Sequence, residues 1–193
     1  MKSLNFASIS DVHLGHRNAL TIETLTQLRH AFPDTHQTAE LDIVFICGDL
    51  FDNLLRANQP ELIDIKIWIV EFLRLCKRHN ILIRVLEGTS SHDWKQNRLL
   101  PTLNTIADIH ADLKYHENLS IDYIESLDCH VLYVPDEWHA SNFDLTWKDV
   151  QQLLIEHQLE KVDIAVMHGL FEFQVPAQIK IPTHRLDRYQ ALS

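Results

Sequence analysis

Acidic and histidine side chains follow four separate apolar segments of this sequence. In chain order they are Asp11 and His13, then Asp49, then His92 and Asp93 preceded by Ser91, and finally His168. Carboxylate oxygens and neutral imidazole nitrogens together suit divalent metals of hard to borderline character, without any thiolate. Because residues two apart in an extended segment point to the same side, we expect Asp11 and His13 to bind one ion.

Each of these clusters also has a simpler explanation. Asp-x-His occurs by chance in many proteins, and Gly48-Asp49 is an ordinary turn signal after a strand. His92 and Asp93 would suit a hydrogen-bonded surface pair, and His168 would suit the end of a strand. The prediction of a metal site therefore depends on the combination, in which four polar clusters each come directly after an apolar segment.

The apolar segments themselves predict an α/β fold. Short, nearly continuous apolar runs are typical of buried strands, as in a parallel sheet covered on both faces, and apolar residues recurring at helical spacing are typical of helices. In such a sheet, the loops at the carboxyl ends of the strands converge and form the site. The predicted strands are 4–10, 41–48, 81–88 and 162–169, with two more within 119–138, and the predicted helices are 21–32, 60–79 and 146–160, with a further one within 95–111.

Length and charge narrow the choice of function. A chain of 193 residues, of which 46% are hydrophobic, suits a single domain, 1–193. The net charge of −10 argues against tight unaided binding to a polyanion, because Lys and Arg neutralise the phosphates in duplex binding. Cys47, Cys76 and Cys129 lie in apolar segments, which predicts buried thiols and neither metal ligands nor disulfides.

The sequence contains no candidate membrane anchor. No segment approaches the roughly 18 consecutive apolar residues of a membrane span. The beginning of the chain also lacks the long apolar region of a signal peptide. We therefore expect no membrane partner and a cytoplasmic location.

The order of the polar clusters resembles the calcineurin-like metallophosphoesterases. Their pattern is Asp-x-His, Gly-Asp, Gly-Asn-His-Asp/Glu, His and Gly-His-x-His, and four of these five blocks are recognisable between Asp11 and His168. The segments "SDVHLGHRN", "ICGDLFD" and "HGLFEFQVPA" are most similar to SbcD-type DNA repair nucleases, particularly their shorter, phage-like versions. The resemblance implies a layered fold with a β-sheet core flanked by helices.

Two blocks depart from the family pattern. Ser91 stands where the family has Asn, and Thr89 and Ser90 separate it from Gly88. A serine can offer a neutral oxygen, but its shorter side chain requires a bridging water or a shifted loop. The Gly-His-x-His block is absent. We therefore expect a fold that is incomplete at the C-terminus, either a truncated fragment or a variant that has lost part of its centre.

The resemblance implies two divalent metal ions, with Mn²⁺ preferred and Mg²⁺, Fe²⁺ or Zn²⁺ as alternatives. Two such ions, about 3.5 to 4 Å apart, would activate a water and stabilise the attacking and leaving oxygens on phosphorus. Asp11 and His13 would bind one ion, and His168 with Ser91 would bind the other. Asp49 would bridge the two.

Other residues would act on the substrate. The resemblance implies that His92 serves as general acid or charge stabiliser and that Asp93 orients it. His16 and Arg17 lie just past the first cluster and would either contact a substrate phosphate or form a solvated loop. Trp94 would either stack on a nucleotide strand or pack beneath its loop.

The implied function is a metal-dependent phosphodiesterase, a DNA exonuclease or endonuclease subunit that acts on DNA ends with an SbcC-type ATPase. The helix predicted over 60–79 is apolar nearly all round, which indicates burial on more than one side. It would be either a covered crossover helix or the interface of a homodimer, as in SbcD-type nucleases. Two other functions remain open: a phosphoesterase for small substrates, and a catalytically incomplete domain that binds partners.

Overall fold

Four parallel strands form the first sheet of the protein. A computed structural model describes residues 3–136, 138–139 and 141–192. The strands pair in sequence order. They are β1 (Phe6–Ile9), β2 (Ile43–Cys47), β3 (Leu82–Leu86) and β4 (Leu113–His116). The first three confirm predicted strands, whereas β4 was missed because "LKYH" contains no apolar run.

Helices cover one face of this sheet. The connections contain α1 (Thr21–Ala31), the short α2 (His36–Ala39), α3 (Glu61–His79) and α4 (Leu99–Ile106). Because the strands follow one another in order and parallel crossovers are right-handed, successive crossover helices lie on the same face. Residues of α1, α3 and α4 pack there against Val44 and Ile46 of β2. The opposite face is left for another layer.

A second, mixed sheet supplies that layer. It contains β5 (Ser120–Ile124), β6 (Cys129–Val134) and β7 (Ile164–Met167), with β5 antiparallel and β7 parallel to β6. We expected the strand predicted over 162–169 to lie in the parallel sheet, but it pairs with β6 instead. The apolar run correctly predicts a buried strand, but it does not indicate with which other strand that strand pairs.

The two sheets face each other through alternate residues. In β2, Ile43 and Phe45 contact the second sheet, while the intervening residues face the helices. In β6, Val131 and Tyr133 contact the first sheet, while Leu132 packs toward α5 (Phe143–Glu156). This period of two is the geometry of an extended chain. The layers are therefore helices, sheet, sheet and helix, in agreement with the predicted α/β class.

Helix boundaries differ from the sequence prediction. The helix expected over 146–160 begins at Phe143, where the Asn142 side chain accepts a hydrogen bond from the Asp144 amide. Thr146 is buried, and its hydroxyl donates to the carbonyl of Trp138. A further short helix, α6, spans Leu186–Gln190.

Helix α3 is buried on one side only, contrary to the prediction of burial on more than one side. Trp68 and Phe72 stack within the core. Ile63 and Ile67 are exposed on the other side. The apolar residues of α3 therefore form two sets, a buried stripe that faces the core and an exposed pair of isoleucines.

Two predictions from composition are supported. Cys76 and Cys129 are buried free thiols, and Cys47 is a partly buried one. None of the helices within the described residues is both long and apolar enough to cross a membrane.

Candidate metal centre

The loops that follow β1, β2, β3 and β7 meet at one cleft. The amide of Val12, after β1, donates to the carbonyl of Asp49, after β2. The amide of Thr89, after β3, donates to the Asp49 carboxylate at 2.7 Å. His168, directly after β7, contacts the Cys47 carbonyl at 2.8 Å through Nδ1. The predicted convergence of the strand ends is thus present, although the fourth strand comes from the second sheet.

Two groups of metal-ligand side chains share one carboxylate. The groups are His13 with Asp49 and His92, and Asp11 with Asp49 and His168. In each group, the ligand atoms lie within 4.8 Å of one another. Asp49 is therefore the residue that lies close to the ligand atoms of both groups.

Asp49 is buried and held by imidazoles on both oxygens. Its Oδ2 lies 2.6 Å from Nδ1 of His92, and its Oδ1 lies 3.3 Å from Nε2 of His168. Burial by itself would raise the pKa of Asp49, but the hydrogen bonds with the two imidazoles and the Thr89 amide hold it well below its usual range. The carboxylate is therefore ionised at neutral pH.

The orientation of His168 is set by the main chain. A carbonyl oxygen can only accept, so Nδ1 of His168 donates to Cys47 and Nε2 is directed to Asp49. This is the arrangement in which the second ring nitrogen can bind a metal. Burial opposes protonation of His168, but Asp49 outweighs it and raises the pKa of the imidazole to about 9.

Left-handed backbone distinguishes the first loop from an extended segment. Asp11 and His13 both have a φ of 53°. The chain therefore turns between them, so the extended geometry on which the expectation of one shared ion was based is not present. The structure places Asp11 with His168 and places His13 with His92.

Glycine is required at two positions around Asp49. Gly48 has a φ of 90°, and a Cβ there would lie 2.6 Å from Cγ of His168. A Cβ on Gly88 would lie 2.2 Å from the Asp49 nitrogen. Both distances are far below van der Waals contact, so any larger residue would displace the carboxylate or the imidazole.

Asp93 does not orient His92, contrary to the prediction. Its carboxylate is buried and accepts from the amides of Asp49 at 3.0 Å, Phe51 at 2.9 Å and Gly88 at 2.8 Å. The side chain of Asn97 donates to it as well. Because these donors surround the buried carboxylate, Asp93 joins the loops after β2 and β3. His92 bonds to Asp49 instead.

Thr89, not Ser91, places a hydroxyl beside Asp49. The Thr89 hydroxyl lies 3.3 Å from Oδ2 of Asp49 and 3.3 Å from Oδ2 of Asp136. Ser91 is exposed, and its carbonyl accepts from the Trp94 indole. Sequence analysis missed Asp136, although a carboxylate just after an apolar strand was the same signal that indicated Asp49.

The substrate-binding residues predicted from sequence lie outside the two groups. His16 and Arg17 are exposed, and Nδ1 of His16 accepts from the amide of Asn18. Asp52 was not predicted, but it lies 3.5 Å from Nδ1 of His13. That nitrogen is buried and makes no hydrogen bond with the described residues. A buried, unsatisfied imidazole nitrogen beside a carboxylate fits a metal ligand.

No protein-family model matches this chain, and no curated protein is significantly similar to it. The chain is an α/β protein with a four-stranded parallel sheet and a small mixed sheet, flanked by helices, and a cluster of Asp and His side chains lies at its strand ends.

Replacement of Asp93 should destabilise the fold. In Asp93→Ala the amides of Asp49, Phe51 and Gly88 lose their acceptor, and each buried unsatisfied group costs about 1–3 kcal/mol. We expect the free energy of unfolding to fall by at least about 3 kcal/mol in urea denaturation. Asp64→Ala, at an exposed position of α3, should change it by less than about 1 kcal/mol. Unchanged stability of Asp93→Ala would contradict this structural role.

Metal affinity should rise with pH. A protonated imidazole cannot bind a cation, and the pKa of His168 is raised to about 9. The apparent affinity for Mn²⁺ should therefore increase from neutral pH and level off above pH of about 9, with release of a proton. Calorimetry in buffers of different ionisation enthalpy measures both effects. Affinity that stays constant over this range, without proton release, would contradict the assignment of His168 as a ligand.

Proposed function

We propose that this protein is a metal-dependent phosphodiesterase of the calcineurin-like type. The observation that carries the proposal is the buried carboxylate of Asp49, which belongs to two groups of metal-ligand side chains at once. Sites that hydrolyse phosphate esters with two ions need such a shared ligand. The helix, sheet, sheet and helix layers also fit the layered fold that the sequence motifs imply.

The donor set fits two divalent cations, Mn²⁺ foremost. When bound, the ions would supply Lewis acidity to activate a water and neutralise charge on the phosphoryl oxygens. Asp49 would bridge them, Asp11 and His168 would hold one, and His13 would hold the other. Oxygen and imidazole ligands without thiolate match the preferences of Mn²⁺, Fe²⁺ and Zn²⁺.

We assign the proton transfer to His92. Its side chain is 37% exposed, compared with 29% for His13 and 11% for His168. It is therefore the imidazole of the two groups that a substrate reaches most readily. The contact between Nδ1 and Asp49 orients the ring. His92 would donate a proton to the leaving oxygen, and Asp93 would act indirectly by fixing the loops on both sides.

The substrate we propose is DNA, cut at its ends, with an SbcC-type ATPase as partner. The net charge of −10 fits a subunit whose grip on DNA comes from its partner, because phosphate neutralisation dominates duplex binding. The same charge would suit a small phosphodiester substrate, which needs no extended basic surface. A third outcome, a domain that binds partners without cutting, is favoured by the small number of protein ligands in each group.

A homodimer through α3 forms a further part of the proposal. Ile63, Ile67 and Ile106 are exposed on neighbouring helices. Ile63 and Ile67 also line a cavity of about 430 Å³ with Leu103. An exposed apolar patch of this kind marks an interaction surface. Trp68 lies in the core, so its substitution would test stability and not association.

Replacement of Asp49 should abolish the metal site. The wild-type protein should bind about two Mn²⁺ ions per chain, and Asp49→Asn should lose at least one because a bridging ligand serves both. Hydrolysis of single- and double-stranded DNA should fall by more than about 100-fold. Asp64→Asn serves as the matched control, and stoichiometry is measured by elemental analysis after dialysis.

The same assay decides between the three functions. Cleavage of DNA by the wild-type protein supports the nuclease, and cleavage of a small chromogenic diester alone indicates the small-substrate enzyme. Fewer than one ion per chain, with no diester cleaved, would rule out the hydrolase and leave the binding domain.

Replacement of Ile67 should affect association. Ile67→Lys places a charge on the apolar patch, so light scattering should report a monomer while circular dichroism stays unchanged. Ile155→Lys, at an exposed isoleucine of α5, is the matched control and should leave the dimer intact. A wild-type protein that is monomeric at high concentration would contradict the proposed interface.

A further inference from the structure

A cavity of about 560 Å³ lies beside the candidate metal centre. Its lining includes Gly88, Ser91, Trp94, Lys95, Asn118 and Trp138. A cavity of this volume is in the range of small-molecule sites. The two tryptophans come from different parts of the fold: Trp94 from the loop after β3, and Trp138 from the segment between β6 and α5.

Gly88 connects this cavity to the metal centre. It lines the cavity, and a Cβ built on it would lie only 2.4 Å from Oδ1 of Asp49. The backbone of one residue therefore separates the cavity from the proposed bridging carboxylate. His92 belongs to the same short loop as Ser91 and Trp94. A molecule in the cavity would therefore lie next to the loop that carries His92.

The indole rings have their polar edges satisfied by the protein. The Trp94 N–H donates to the Ser91 carbonyl at 2.8 Å, and the Trp138 N–H donates to the Asp149 carboxylate at 2.9 Å. What the rings offer a ligand is therefore apolar surface. Trp94 is 53% exposed, so its ring is accessible to a ligand.

The loop holds Trp94 in this position against its backbone preference. Trp94 and Lys95 have φ values of 48° and 58°, in the left-handed region that non-glycine residues rarely adopt. The amide of Lys95 donates at 2.7 Å to Glu87, whose carboxylate is buried. Asp93, which directly precedes Trp94, is held in place by the hydrogen bonds that its buried carboxylate accepts. These contacts keep the loop in place and leave the ring exposed.

The charged side chains that line the cavity are Lys95, Glu87 and Glu117, and each has a hydrogen-bonding or ionic partner in the protein. The ammonium group of Lys95 pairs with Glu117, and Arg98 pairs with the same carboxylate. The cavity thus combines aromatic surface with neutral polar groups such as the side chain of Asn118. This combination suits a planar, neutral heterocycle that carries hydrogen-bonding edges, and it does not suit a phosphate.

We infer that the cavity lined by Trp94 and Trp138 binds a nucleobase of the substrate, by stacking. The inference rests on the proposed function, because the phosphodiester attached to that base would lie at Asp49 and His92. A stacked base must be out of a duplex, so the site would take the last base of a single strand or a free nucleotide. The substrate of the proposed hydrolase would therefore be a nucleotide ester.

The first test measures binding without metal. Thymidine monophosphate and a short oligothymidylate are titrated, in the presence of a chelator, while tryptophan fluorescence is recorded. Stacking should quench the fluorescence of the wild-type protein, and Trp94→Ala should weaken the apparent affinity by at least about fivefold. Trp94→Phe, which keeps a ring, should retain most of the affinity. Tighter binding of the oligonucleotide identifies a strand end as the ligand, and equal binding identifies a nucleotide.

The second test measures hydrolysis with Mn²⁺. The nitrophenyl phosphodiester of thymidine carries a base, and methyl nitrophenyl phosphate carries none, while both release the same leaving group. The ratio of their kcat/KM values should fall by at least about fivefold in Trp94→Ala. Phe173→Ala, at an exposed aromatic residue outside the cavity, should leave the ratio unchanged.

The two proposals fail in different ways. Quenching by nucleotides without metal binding or hydrolysis would refute the phosphodiesterase and retain the base site. Hydrolysis of both esters, with no quenching and an unchanged ratio in Trp94→Ala, would overturn the base site and retain the phosphodiesterase. Circular dichroism establishes whether each variant is folded. If a variant does not fold, the fluorescence titration of the wild-type protein still tests whether the cavity binds nucleotides.

Discussion

The burial of one charged carboxylate is the constraint on which the rest of the site depends. An ionised Asp49 inside the protein is tolerated only because Thr89, His92 and His168 all contact its oxygens. These partners come from the loops after β3 and β7, so strands of two different sheets must end at one place. The four layers of the fold supply that meeting point. Of the two imidazoles that stabilise the carboxylate, His168 is also a candidate metal ligand.

The loops achieve this arrangement with an unfavourable backbone. Asp11, His13 and Asp49 all have positive φ, a conformation that costs non-glycine residues about 1–3 kcal/mol each in such positions. The compensation comes from a second buried carboxylate, Asp93, which accepts from the amides on both sides of the cleft. Asp93 thus has the structural role of joining the loops, and Asp49 has the chemical role of facing the cleft.

The second sheet contributes more to the site than its size suggests. Its β7 ends at His168, and the segment after β6 carries Asp136 beside Thr89 and Trp138 beside the cavity. The loops of the first sheet provide the carboxylates of Asp11 and Asp49 and the imidazoles of His13 and His92. A cleft between two sheets therefore has metal-ligand chemistry at its centre and an aromatic cavity at its side, which is the arrangement a nucleotide ester would need.

Most of the strands, the long helices and the polar clusters at the strand ends could be predicted from the amino-acid sequence, because apolar periodicity and turn residues are local properties. Sequence analysis missed β4, whose segment lacks an apolar run, and it could not assign β7 to a sheet. Three features could be found only in the folded protein: Asp11 and His13 have different neighbours, Asp93 binds amides, and Thr89 lies beside Asp49 where Ser91 was expected. These outcomes depend on left-handed turns and on donors about forty residues away in the chain, and such contacts exist only once β2 and β3 have paired in the first sheet. The contacts of His168 also require that the second sheet has packed against the first.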